Sequence, residues 1–207
     1  MHIVHKIRQK LSYGLIIQYL LDRLSAIGIA FRPFYLVQEG TLNSDSVQFS
    51  IGIKPCESEF LTEKEIKVVA QHPEVSHSEK ELLSRLDNGC KCFGLKHHSE
   101  VVAYMWCNFS KCESWISFSL EPNEVYLFDA RSFKAYRGKN IAPFLRDQLY
   151  KHLRKMGYGK FYSVSDAFNT SAINFKRKLG ARNLRLFIHI RIFKKIQKNI
   201  LLKNYAT

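Results

Sequence analysis

Acids are almost missing from the last third of this sequence. Of its 207 residues, those from 131 to 207 hold 19 Lys or Arg against two acids, Asp147 and Asp166, a balance of +17, whereas residues 1–130 balance at −3. The basic field therefore belongs to the C-terminal third. It raises the local concentration of polyanions there, whether nucleotide phosphates, nucleic acid, anionic lipid or an acidic acyl carrier protein. Long apolar runs are missing too. The stretch from Gly14 to Ala30 is broken by Asp22 and Arg23 before it could cross a bilayer or form a secretory core. A soluble, cytoplasmic protein is expected, peripheral at the inner face of the membrane if its basic surface docks there. Paired C-x-x-C spacing is absent: Cys56, Cys90, Cys92, Cys107 and Cys112 form an odd set, read as free thiols in a reducing cytoplasm, and no metal is expected. No Pro-, Gly- or Ser-rich linker and no repeat interrupts the chain. With 46% hydrophobic positions, a single domain over 1–207 is expected.

What is present has period and punctuation. Ile3, Ile7, Leu11, Leu15, Tyr19 and Leu24 keep a helical stripe, with His5, Lys6, Arg8 and Lys10 off it, so residues 3–27 predict a basic amphipathic helix that packs on the domain or lies on an anionic membrane. Strands are predicted at 34–38 and 47–54, helices at 61–72 and 78–86, the second with a capping box from Ser78 and Glu81. Lys91–Lys96 and Val101–Asn108 read as a hairpin about His97-His98-Ser99-Glu100, which makes the two histidines turn residues rather than ligands. Glu124–Phe133 is a further strand. The helix after it carries Leu145, Leu149, Leu153 and Met156 on one face and Arg146, Lys151, Arg154 and Lys155 on the other, ending at Gly157. Lys160–Ser165 is a strand, Asn169-Thr170-Ser171 opens a short helix stopped by Gly180, and Leu184–Phe193 is a last strand, followed by a basic tail over 194–207.

The segment Arg137-Gly138-Lys139-Asn140-Ile141-Ala142 joins a strand to a helix, where unpaired backbone N–H groups meet the positive end of the helix dipole. That arrangement favours a pyrophosphate. Gly138 and Ala142 are small where a backbone must approach a ligand, Asn140 tolerates a left-handed conformation, and Pro143 suits the first helical turn. Arg137 and Lys139 add positive charge beside it.

Together with Tyr136, this segment resembles the acetyl-CoA loop of the GNAT superfamily. Asn169-Thr170-Ser171-Ala172 and Lys178-Leu179-Gly180 resemble that superfamily's second motif. The resemblance covers residues 90–193 and implies an α/β (α+β) fold with a mixed, mostly antiparallel twisted sheet flanked by helices, opened between strands 124–133 and 160–165. Residues 1–89 would then shape the acceptor site. The resemblance also implies acyl-CoA, acetyl-CoA above all, as co-substrate, held by the Arg137–Ala142 loop, Asn169 and the backbone near Ala130 and Ser132. The acceptor it implies is a primary amine of a small molecule, an amino sugar being one reading. Two residues depart from the pattern. Asn140 replaces the loop's middle Gly, and Lys176 stands where a Tyr often protonates the departing thiolate; Lys176 could donate a proton or sit on a solvated helix face. An alkyl ammonium must lose a proton before it attacks. Asp129, near the expected thioester carbonyl, is the preferred base and Glu124 the next, with Glu121, Asp166 and His189 more remote. Tyr104, Trp106, Trp115 and Tyr126 could line a sugar-binding wall or pack in the core. The competing reading is a nucleic-acid- or membrane-binding basic protein, or a coenzyme A module without turnover.

Overall fold

A computed structural model describes residues 23–25, 28–41, 51–53, 55–193 and 195–205. The expected N-terminal helix lies outside these apart from Arg23, Leu24 and Ser25, which are helical, and so does most of the expected strand 47–54. Residues 51–53, described, are not strand. Two compact units divide the chain: Met1–Val37, Val164–Asn174 and Asn183–Thr207 form one, Gln38–Ser163 and Phe175–Arg182 the other.

In the larger unit, strands β2 (Cys56–Phe60), β3 (Lys91–His97), β4 (Glu100–Asn108) and β7 (Glu124–Ser132) pair antiparallel in that order, and β8 (Lys160–Asp166) adds parallel to β7. A small antiparallel pair, β5 (Lys111–Glu113) and β6 (Ser117–Ser119), stands apart. The β3–β4 hairpin closes as read. His98 and Ser99 carry φ of 49° and 67°, both left-handed, as a two-residue turn matched to strand twist requires.

Helices cover both faces of this sheet, which is why β4 is buried over eight consecutive residues instead of alternating. On one side, α3 (Ile141–Lys155) lays Ile141, Leu145, Leu149 and Leu153 against Ala103, Met105 and Cys107 of β4 and Val125 and Leu127 of β7. Each of those leucines contributes about 2 kcal/mol by leaving water. On the other side, α1 (Glu63–Ala70) and α2 (Glu79–Asp87) bring Ile66, Val69 and Leu82 onto Tyr104, Trp106 and Phe133. Both short helices open with a complete capping box, Thr62 with Glu65 and Ser78 with Glu81, of which the sequence reading named the second.

The face of α3 departs from its predicted stripe. Met156 is the exposed C-cap, while Arg146, placed by periodicity on the polar face, is 2% exposed and its neighbour Asp147 is 4% exposed. Burial of Arg146 is compensated by a carboxylate 107 positions earlier in the chain, Glu39, to which periodicity is blind. In the smaller unit, β9 (Arg182–Ile192) pairs antiparallel with β10 (Ile196–Asn204). The expected basic tail is thus a paired strand, hidden from a pattern search because I-Q-K-N-I-L-L-K-N does not alternate. β1 (Ile29–Glu39), β8, α4 (Thr170–Lys178) and β9 contribute residues to both units.

Candidate functional site

Three local irregularities in and around β7 make a site. The first is a bulge: Tyr104 pairs with Arg131 but Trp106 with Phe128, so Met105 faces two residues, Asp129 and Ala130. Asp129 takes φ of 44°, a conformation an aspartate adopts at some cost, and a bulge leaves a backbone group outside the ladder. An Asp in the middle of a strand is itself a sequence signal for such a break. The second is a parting of strands. β7 and β8 pair over three positions only, ending at Tyr126 with Tyr162, and β7 then runs on to Ser132. The third is the turn into α3. Gly138 has φ of 78° and Asn140, the N-cap, φ of 57°, the left-handed conformation expected of it. Phe144 N–H, bonded to the Asn140 carbonyl at 3.2 Å, makes the first intrahelical bond, so the N–H groups of Ile141 and Ala142 lie ahead of the ladder.

Between these features lies a cavity of about 60 Å³ walled by Met105, Ala130, Ser132, Ala142, Leu145 and Phe175. Ser132 Oγ is buried and, among the described residues, has no hydrogen-bond partner. A Cβ built on Gly138 would meet no atom within 4 Å, so the main chain there is open to approach. These properties fit an extended, polar ligand chain ending in phosphates.

The charged side chains around the loop are already engaged. Arg137 donates from Nε to the Ser132 carbonyl at 3.1 Å and pairs with Glu74 at 3.1 Å. Glu74 also accepts from the backbone N–H of Lys134 at 2.8 Å, and its carbonyl accepts from Arg131. Lys139 lies over the Tyr136 ring at 5.4 Å, and its carbonyl accepts from Gly52 N–H at 3.3 Å. Glu74 therefore holds both a guanidinium and a backbone donor, as a phosphate would.

On the opposite face, Asp129 Oδ2 is bound by Arg85 at 2.6 Å and lies 3.3 Å from His77 Nε2, which is itself 3.1 Å from the Arg85 guanidinium. Arg85 also stacks over Trp106 at 5.1 Å and Phe128 at 5.4 Å. Both partners of Asp129 come from α2 and the loop before it and carry no local signal in the sequence. Tyr104, Trp106 and Tyr126, weighed as a sugar wall, are core residues, and burial with Asp129 nearby pushes the Tyr104 hydroxyl up to about 12.

Glu124 sits at the other end of β7, where Tyr162 (3.0 Å), Lys160 (3.4 Å) and Glu121 N–H (3.1 Å) hold its carboxylate. Asn169, in the smaller unit, caps α4 by accepting from Ala172 N–H at 3.1 Å. There Asp166 lies 3.9 Å from Arg32 and His189 is buried against Asn199. Lys176 is not solvated. It is 5% exposed, donates to Ser163 Oγ at 2.7 Å and pairs with Glu39 at 3.1 Å, because burying its ammonium requires an anion that Glu39 supplies.

The five cysteines are free thiols, four of them buried, and burial pushes Cys112 up to about 12, so none is set up as a nucleophile. Among the described residues no cluster of metal-ligating side chains occurs, and no helix is long and apolar enough to cross a membrane.

The acetyltransferase (GNAT) family model matches residues 56–181. No curated protein matches the sequence. Similar solved structures include a GNAT acetyltransferase from Colwellia psychrerythraea (TM-score 0.59, 15% identity, 83% of this chain and 60% of that one). A functionally unknown protein from Staphylococcus epidermidis (0.54, 10%, 84% and 66%) and an N-acetyltransferase from Staphylococcus aureus (0.50, 14%, 72% and 100%) also match. The chain spans between half and two thirds of the length of several matched proteins: 60% of the Colwellia protein and 52% of a Drosophila one.

Proposed function

Since this chain belongs to the acetyltransferase (GNAT) family, whose members transfer acyl groups from acyl-CoA to amines, we propose that it moves an acetyl or other short acyl group to a primary amine of a small molecule. The observation that carries this reading is the course of β7: it leaves β8 after three paired positions, bulges at Asp129, and turns through left-handed Gly138 and Asn140 into α3. The N–H groups from Gly138 to Ala142 would take the pyrophosphate, with Arg137 and Lys139 adding charge. Main-chain groups at Ala130 and Ser132 would pair with the pantetheine amides, which sets the thioester beside the bulge. A backbone N–H released there polarises the carbonyl.

The acceptor arrives on the face of α1 and α2. Deprotonating an alkyl ammonium of pKa ~10.4 at neutral pH costs about 4–5 kcal/mol, so a proton acceptor matters. We assign that role to the pair Asp129 and His77, with Arg85 fixing the carboxylate. Glu124, fastened by three donors, holds the junction of β7 and β8. The acidic balance of residues 1–130 suits a cationic amine; an amino sugar falls within that class, but its support is the sequence alone.

The test is a thermal-shift titration with acetyl-CoA. At 100 times the dissociation constant, the ligand should stabilise by ~2.7 kcal/mol, a rise of about 5–10 °C. No shift with acetyl-CoA or with longer acyl donors would remove the proposal. A second expectation arises from Glu74. For Arg137 to reach a phosphate it must leave an exposed ion pair worth up to about 1 kcal/mol. Glu74→Gln should therefore tighten acyl-CoA binding about two- to fivefold by isothermal calorimetry, and weaker binding would show instead that Glu74 presents Arg137 to the ligand.

A further inference from the structure

In the smaller unit, none of the nine residues of β10 is buried. Four of them are aliphatic: Ile196, Ile200, Leu201 and Leu202 are 56%, 40%, 49% and 54% exposed. Phe193, in the turn from β9, is 60% exposed although its N–H donates to the Gly28 carbonyl at 2.7 Å. Directly opposed residues of an antiparallel pair share a face. Ile196 opposes Ile192, Lys198 opposes Ile190 and Ile200 opposes Ile188, so the two β10 isoleucines join three of β9 in one row. Those three are themselves only half-buried. The other face of β9 is the packed one: Phe187 stacks on Phe34 at 5.3 Å, and His189 is buried.

The charge of this hairpin is all of one sign. Residues 183–205 hold six Lys or Arg and no acid, and Lys198 and Lys203 stand in the aliphatic row itself, opposite Ile190 and Leu186. We propose that the β9–β10 hairpin is a docking face for an anionic bilayer surface, its aliphatic side chains entering the headgroup boundary and its cations meeting lipid phosphates and carboxylates. Apolar burial and electrostatic attraction add in that setting, and Lys and Arg stems lie along apolar surface while their charged ends reach the headgroups. A second copy of the chain fits less well. β10 is an edge strand among the described residues, but pairing two such edges would crowd Lys198 and Lys203 of both copies, and edge lysines oppose that pairing. Nucleic acid is matched by the charge but not by the aliphatic row, which offers no donor to phosphates or bases.

The experiment is co-sedimentation of the full chain with vesicles of phosphatidylcholine alone and of equal parts phosphatidylcholine and phosphatidylserine. The mixed vesicles should bind at least about tenfold more tightly than the neutral ones, since each surface lysine is worth roughly fivefold against anionic lipid. Ile200→Ser with Leu202→Ser keeps every charge and should weaken binding to mixed vesicles by at least about tenfold. Lys198→Gln with Lys203→Gln should weaken it by about 25-fold. All four side chains are exposed, so neither pair of substitutions removes core packing. Absence of binding to the mixed vesicles overturns the proposal, and so does binding that survives Ile200→Ser with Leu202→Ser. A chain that ignores the mixed vesicles but is retained on single-stranded DNA would assign the face to nucleic acid. A dimer that dissociates on Ile200→Ser with Leu202→Ser, seen by sedimentation velocity, would assign it to a second copy; either result overturns the membrane reading.

Discussion

Glu39→Gln is expected to lower the melting temperature by about 10 °C. The substitution keeps the shape but removes the carboxylate that Lys176, Arg146 and the hydroxyls of Tyr150 and Ser163 all meet, and turns one of its two acceptor oxygens into a donor facing donors. Removing one member of a buried ionic group costs about 3–5 kcal/mol, and in a chain of this size each kcal/mol moves the midpoint by roughly 2–4 °C. The acid limb of stability gives a second readout. Burial alone would raise the Glu39 carboxyl, but Arg146, Lys176 and the two hydroxyls overcome it and hold it at about 2, below its ordinary 4.5. A carboxyl depressed by folding contributes stability that is complete above its unfolded value. That stability is lost as pH falls from about 4.5 towards about 2. Glu39→Gln should remove that limb. A melting temperature within about 2 °C of the unaltered protein, with the acid limb intact, would contradict the charge arrangement.

Gly138→Trp is expected to weaken acetyl-CoA binding by a hundredfold or more. With φ at 78°, any side chain there costs about 1–2 kcal/mol of backbone strain, and an indole would cover the N–H groups that precede the helix ladder. Losing two hydrogen bonds to a charged ligand, at about 1.5–3 kcal/mol each, corresponds to roughly a hundredfold or more in affinity. Gly138→Ala separates strain from blockade: no atom lies within 4 Å of its Cβ, so it should keep most of the affinity. Isothermal calorimetry on both variants decides the matter. Undiminished binding to Gly138→Trp would place the pyrophosphate elsewhere.

What the sequence made legible was local. The strand, turn and helix around Arg137–Ala142 follow from spacing, from Pro143 and from the tolerance of Asn140 for left-handed backbone, and the structure agrees with each. The capping box at Ser78 and the hairpin at His97–Glu100 are short-range chemistry of the same kind. The charged architecture was not legible, because its members meet across long separations. Glu39 and Ser163 are 124 positions apart, Arg85 and Asp129 44, Arg137 and Glu74 63. Periodicity put Arg146 on the face opposite the leucine stripe and left Lys176 as a proton donor or a solvated helix residue; Glu39, the carboxylate both meet, lies more than 100 positions away. The bulge at Asp129 is intermediate. The misplaced Asp hinted at it, but its register depends on Trp106 pairing with Phe128, a tertiary fact.

The early parting of β7 from β8 has a consequence for how this chain tolerates change. A surface composed of main-chain amides and carbonyls belongs to no residue type in particular, so substitutions along Leu127–Ser132 can alter every side chain and leave the row of donors and acceptors where it was. Substitutions are then expected to matter most where the backbone itself is unusual, at the bulge and the two left-handed turn residues. The fold shared with the Colwellia protein at 15% identity is accordingly reached from an almost wholly different sequence.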